Sequence, residues 1–174
     1  MYFENLLGIS QIPSGTKIIQ REAVRGVVVK DKNLIFMIHT ANGDYKFPGG
    51  GVEAGENHAT ALIREFIEET GYAISKMIQP IGEIIEQKQD AYEPDAYFVM
   101  KSYYYRCDII GNKQEQNLDA YEKEMDFKAE YVPILDAYKH NKQLLEVNKT
   151  GVSQWVSREI IALKNIIEQL SIQI

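Results

Sequence analysis

The chain has 174 residues, 45% apolar and 25% charged, proportions that fit one folded domain and exclude a disordered chain, a collagen-like repeat or a disulfide-stapled miniprotein. Lys plus Arg number 19 against 25 Asp plus Glu, a net charge of −6, which argues against gripping a nucleic-acid polymer but leaves a single nucleotide open. No apolar run approaches the roughly 18 residues of a membrane span, and Met1 to Ser10 lacks the basic-then-apolar build of a secretory signal. Cys107 is the single cysteine, so a reducing, cytoplasmic setting is expected.

In chain order, the β-branched stretch Ile18 to Lys30 reads as one or two strands. Lys30 to Asn33 is a polar turn, and Leu34 to Thr40 is the partner strand. Asn42-Gly43-Asp44 signals a second turn, and Pro48 followed by Gly49, Gly50 and Gly51 excludes a strand or helix interior. Asn57 to Thr70 reads as a helix, with Asn57 at the N-cap and Gly71 where a left-handed C-terminal cap belongs. Its apolar side is expected to carry Ala59, Ile63, Phe66, Ile67 and Thr70. Further strands are expected within Tyr72 to Gln87, Ala96 to Ile110 and Phe127 to Pro133, with Gln116 to Asp126 a polar loop. Helices are expected over Pro133 to Lys142 and Ser157 to Leu170. Strands mixed with a few helices predict an α/β fold, a mixed sheet flanked by helices, in a single domain spanning residues 1–174.

The helix carries Arg64-Glu65-Phe66-Ile67-Glu68-Glu69. Glu65, Glu68 and Glu69 fall within about 100° of arc, placed by this reading opposite the apolar side. Like charges at i,i+4 cost roughly 0.2–0.5 kcal/mol per pair, and acids in the last turns face the negative end of the helix dipole. A solvated acidic face is one reading. The other is a site for Mg²⁺ or Mn²⁺, which prefer hard oxygen ligands and bind phosphates beside carboxylates.

The surroundings favour the second. Gly50, Glu56, Arg64-Glu65-Phe66, Glu68-Glu69 and Gly71-Tyr72 resemble the Nudix box, a glycine, five residues, glutamate, seven residues, then Arg-Glu-hydrophobic-any-Glu-Glu-any-Gly-hydrophobic. All seven fixed positions match, with Phe66 and Tyr72 in slots where aliphatic residues are commoner. The resemblance implies an α/β/α sandwich that hydrolyses a nucleoside diphosphate linked to another group, with Mg²⁺ or Mn²⁺. By position, Glu65, Glu68, Glu69 and the Gly49 carbonyl would hold the metal. Glu56 and Arg64 would tie loop to helix through an ion pair, and Gly50 and Gly71 would serve the loop and the helix end. A small-molecule nucleotide or nucleoside diphosphate derivative is the implied ligand. No nucleic-acid polymer or membrane partner is expected, and a homodimer is left open. The alternative is a catalytically silent nucleotide-binding or regulatory module, although such modules usually lose a box carboxylate. An isomerase acting on isoprenoid diphosphates is disfavoured, because Cys107 has no matching context.

Base-holding rings are sought at Tyr45, Phe47 and the strand Tyr97 to Tyr105. Arg21, Arg25 and Lys46 are candidate phosphate contacts. His39, His58 and His140 show no ligand spacing. Subfamily signatures leave the substrate open: the position some sixteen residues past the box, often proline in ADP-ribose hydrolases, holds Lys88. Metal-bound carboxylates are poor proton acceptors, so a further acid is expected from Gln116 to Asp126. Glu124 has nearly the family's spacing before Tyr131-Val132, and Glu122 is its rival.

Overall fold

The computed structural model describes residues 2–75, 79–147 and 153–173. In chain order these form β1 (Phe3–Gly8), β2 (Lys17–Val27), β3 (Val29–Lys30), β4 (Leu34–His39), β5 (Tyr45–Lys46), α1 (His58–Thr70), β6 (Ala73–Ile74), β7 (Gln79–Gln89), β8 (Ala96–Arg106), β9 (Ile109–Ile110), α2 (Ala120–Glu124), β10 (Lys128–Pro133), α3 (Ile134–Val147) and α4 (Val156–Gln169). The strand expected within Tyr72 to Gln87 divides into β6 and β7, and residues 76–78 between them lie outside the described residues. β1, β5 and α2 were not expected, and α3 runs five residues beyond Lys142.

One sheet has the order β1-β7-β8-β2, in which β1 runs parallel to β7, β7 antiparallel to β8, and β8 parallel to β2. A second has the order β10-β4-β3, with β5 also paired to β4. The two-residue period of the strands feeds cores on both sides. On β4, Ile35 and Met37 join a cluster with Tyr104, Leu163, Ile166 and Ile167, whereas Phe36 joins one with Val24, Leu62, Phe66 and Cys107. The first cluster is closed by α4 and the second by α1, which gives the expected α/β/α sandwich. Among the described residues, no helix is long and apolar enough to cross a membrane.

Asn57 caps α1 by accepting the Thr60 N–H at 2.9 Å, and Gly71 ends it at φ 75°, donating to Ile67 O at 2.8 Å. The packed side of the helix differs from expectation. Its buried residues are Ala61, Leu62, Phe66, Glu69 and Thr70, an arc rotated by about a quarter turn from the expected stripe. Glu69 therefore lies inside the packed arc rather than opposite it. Polar partners described below satisfy its carboxylate there, which is what makes this burial tolerable.

Residues 48–52 run beside β2. Gly26 N–H donates to Pro48 O at 2.8 Å, Val24 N–H to Gly50 O at 2.9 Å, and Val52 N–H to Glu22 O at 3.0 Å. Gly49 has φ 130°, and a Cβ there would overlap the Val24 carbonyl, so the chain can lie this close to β2 only as glycine.

Candidate active site

The glycine turn, the N-terminal end of α4 and one face of the first sheet enclose a cleft of about 830 Å³. Strand register explains its floor. The pairs Arg21↔Met100 and Ile19↔Phe98 across β2 and β8, with Glu86↔Met100 and Lys88↔Phe98 across β7 and β8, put these side chains on one face. All six line the cleft, as does Arg25, two same-face positions beyond Arg21. The rest of the lining includes Gly49, Gly50, Gly51, Glu65, Glu69, Glu122, Phe127, Trp155 and Arg158.

Arg64 organises the outer carboxylates. Its Nε and Nη2 donate to Glu56 at 3.0 and 2.8 Å, Nη1 donates to Glu65 at 2.7 Å and Glu68 at 3.3 Å, and Nη2 also reaches Gly51 O at 3.1 Å. This hydrogen bonding to Arg64 holds the Glu56 carboxyl below its usual range, and Glu56 in turn raises the guanidinium's pKa. Burial pushes Glu65 upward; its bond to Arg64 opposes the shift, and the Glu69 and Glu68 charges add to it.

Glu69 is held separately. Its carboxylate pairs with the buried Lys46 ammonium and accepts the Gly49 N–H at 2.7 Å. The same ammonium lies 4.5 Å from the centroid of the Phe127 ring. Arg25 is buried and donates to the Gly49 carbonyl, the oxygen expected as a metal ligand. Burial, with Arg158 nearby, lowers its pKa. Arg158 joins Glu159 at 2.6 Å and Glu86 at 3.0 Å, and Glu159 accepts the Phe47 N–H at 3.2 Å. The start of α4 is thus tied to the strand entering the glycine turn.

As the side chains stand, no three acidic, histidine or cysteine groups among the described residues converge on one point. Arg64 draws Glu65 and Glu68 one way, and Lys46 takes Glu69. The residues nevertheless fit a divalent cation, since the donor set is hard carboxylate oxygen. The carboxylate of Glu65 also occupies the space a side chain on Gly50 would fill: a Cβ there would have both its oxygens within 2.7 Å. Glu68, about a third exposed, does not line the cleft.

The remaining expected residues divide. Arg21, Arg25 and Lys46 line the cleft. Tyr45 and Phe47 do not. Tyr45 stacks on His39 at 4.8 Å and meets His140 edge-on. Phe47 is fully buried and edge-on to Tyr104 in the core, because alternation along the strand sends Lys46 to the cleft and Phe47 inward. Of the strand Tyr97 to Tyr105, Phe98 lines the cleft, Tyr104 is core, and Tyr103 and Tyr105 pack on His58. Cys107 is buried, its thiol pushed up to about 12 by that burial, and no reactive role attaches to it.

Glu124, the favoured proton acceptor, lies at the exposed end of α2 and does not line the cleft; Glu122 does. Burial and the Glu69 charge raise the pKa of Glu122, opposed by its bond from the Asp119 N–H. The segment is positioned by Gln116, whose amide bridges the backbone carbonyls of Glu69 and Phe127, and by Asn117 N–H donating to Glu68 O at 2.9 Å. Gln116, Trp155 and Arg158 were not foreseen. For Trp155 a signal existed, since it is the one tryptophan of the chain.

The NUDIX domain family model matches residues 20–156, so the chain belongs to the Nudix family and is a Nudix hydrolase. It is 35% identical over 124 residues to an ADP-ribose pyrophosphatase of Methanocaldococcus jannaschii, covering 69% of this chain and 68% of that protein. The fold is similar to a NUDIX hydrolase of Nitrosomonas europaea (TM-score 0.54, 16% identity, 84% of this chain and 88% of that one). It is also similar to a MutT structure described for Aliivibrio salmonicida and Vibrio cholerae (TM-score 0.52, 18% identity, 87% and 99%).

Proposed function

We propose that the protein is a divalent-cation-dependent pyrophosphohydrolase of a nucleoside diphosphate linked to a second group, with ADP-ribose the first compound to test. One observation carries this reading: the box carboxylates Glu65 and Glu69, the glycine-turn backbone, buried cations and aromatic rings border a single cleft of about 830 Å³, within the range of small-molecule sites. The M. jannaschii relative supports the substrate class.

Glu65, Glu68, Glu69 and the Gly49 carbonyl are the groups that would hold Mg²⁺ or Mn²⁺. Such an ion, when bound, acidifies water and neutralises phosphate charge. Lys46, Arg21 and Arg25 supply positive charge toward the diphosphate. Arg64 orients Glu65 and Glu68, and Glu56 fixes Arg64 in turn. Glu122, the acid of its segment that lines the cleft, receives the proton of the attacking water. The single-domain organisation over residues 1–174 belongs to the same reading.

The test is a panel of ADP-ribose, dinucleoside polyphosphates, nucleotide sugars and nucleoside triphosphates with Mg²⁺, read by phosphate release after added phosphatase. Turnover of a diphosphate derivative that stops on chelation supports the reading. Absence of turnover across the panel with Mg²⁺ or Mn²⁺ overturns it in favour of a silent binding module.

A further inference from the structure

We propose that Trp155 is the platform on which the nucleobase of the substrate stacks, with Asp44 the positioning residue that fixes its plane. This rests on the nucleotide reading above. Trp155 lines the cleft and is half-buried, with part of its ring packed against the Ile38, Met125 and Phe127 cluster. Its indole Nε1–H donates to Asp44 Oδ2 at 2.7 Å. Asp44 is fully buried, and its other oxygen accepts from Ser153 Oγ at 2.7 Å and Thr40 Oγ1 at 3.1 Å. Loss of the indole bond would leave a buried carboxylate short of a donor, so the ring is held in place before any ligand arrives.

Position supports the assignment. Lys46 Nζ lies 5.9 Å from the indole centroid and pairs with Glu69. Ring and box carboxylate are therefore separated by one ammonium group, about the span of a ribose between base and phosphate. Tyr121 stands edge-on to the indole at 6.5 Å and closes one side. The other cleft rings are poorer platforms: Tyr92 and Tyr121 are 93% and 52% exposed, Phe127 is buried with the Lys46 ammonium 4.5 Å from its centroid, and Phe98 has no polar handle to set its plane. A bare π-face reads no hydrogen-bond pattern, so modest discrimination among bases follows.

The sole tryptophan is its own reporter. Titration with AMP in Mg²⁺ should quench its fluorescence saturably, and ribose 5-phosphate and pyrophosphate should not. No response to AMP, or an equal response to ribose 5-phosphate, overturns the platform. Trp155→Leu should raise KM for a nucleotide substrate roughly 5- to 150-fold, the loss falling on KM more than kcat, with Trp155→Phe recovering most of it. Asp44→Asn should weaken AMP quenching while the far-ultraviolet circular dichroism is kept. Wild-type KM in a folded Trp155→Leu protein overturns the assignment. Hydrolysis without AMP quenching overturns the platform and leaves the hydrolase reading intact. Quenching by AMP without turnover of any panel compound supports the platform and overturns the hydrolase reading.

Discussion

Gly50→Ala separates packing from chemistry. The three atoms nearest a Cβ at this position all belong to the far end of the Glu65 side chain, its carboxyl carbon and both oxygens, within 2.7 Å. The backbone can stay in place, because Gly50 is not among the residues at positive φ. The carboxylate must then retreat by roughly 1 Å to regain ordinary contact, and misplacing a catalytic group by that distance costs about a hundredfold in rate. Stability should change little, since replacing glycine by alanine where the backbone permits it contributes about 0.4–1 kcal/mol through the unfolded state. Gly51→Ala is the matched control: it has no atom within 4 Å of the added Cβ and also lies outside the positive-φ region. The assay is kcat at saturating substrate and Mg²⁺, together with Tm. Gly50→Ala should lose about two orders of magnitude in kcat at near-wild-type Tm, with Gly51→Ala close to wild type in both. Wild-type kcat in Gly50→Ala, or equal damage in the two variants, would refute the placement of Glu65.

Glu69→Ala should destabilise the fold by about 3–5 kcal/mol, because it strands the buried Lys46 ammonium; chemical denaturation measures this, and Glu69→Gln should be milder in stability yet still severely impaired in kcat. Glu56→Gln should lower Tm by about 2–4 °C, the effect of roughly 1 kcal/mol in a chain of this length. Its folded-state pKa is depressed by Arg64, so the contribution is present above about 4.5 and lost as pH falls through the folded value; the Tm gap between wild type and Glu56→Gln should close in acid. Glu122→Gln should reduce kcat strongly and remove an acid limb lying above the ordinary carboxylate range, whereas Glu124→Gln should leave the pH profile unchanged.

Much of the box helix was legible because its ends are local chemistry: Asn57 and Gly71 cap α1 as their types dictate. Its packed face was not, because periodicity arguments send every carboxylate to solvent, and here Lys46 and the Gly49 amide make burial of Glu69 tolerable. α2 left a readable trace, the capping box between Asp119 and Glu122, but five residues carry too little periodicity to outweigh a polar composition. β1 was hidden because its parallel partner β7 is some eighty residues away, and no turn joins them. The aromatic side of the cleft was legible in part: Phe98 lies on the strand Tyr97 to Tyr105, where rings were sought. Beside the glycine turn strand alternation buries Phe47, while Trp155 arrives from a distant segment and is tied to Asp44.

The most direct test of the account is hydrolysis in ¹⁸O-labelled water with Mg²⁺, using the substrate the panel identifies and mass spectrometry of the products. The account predicts label in one phosphate-bearing product and none in a sugar or transferred group, with turnover abolished by chelation. Label at a sugar carbon, or full turnover in excess chelator, would contradict it.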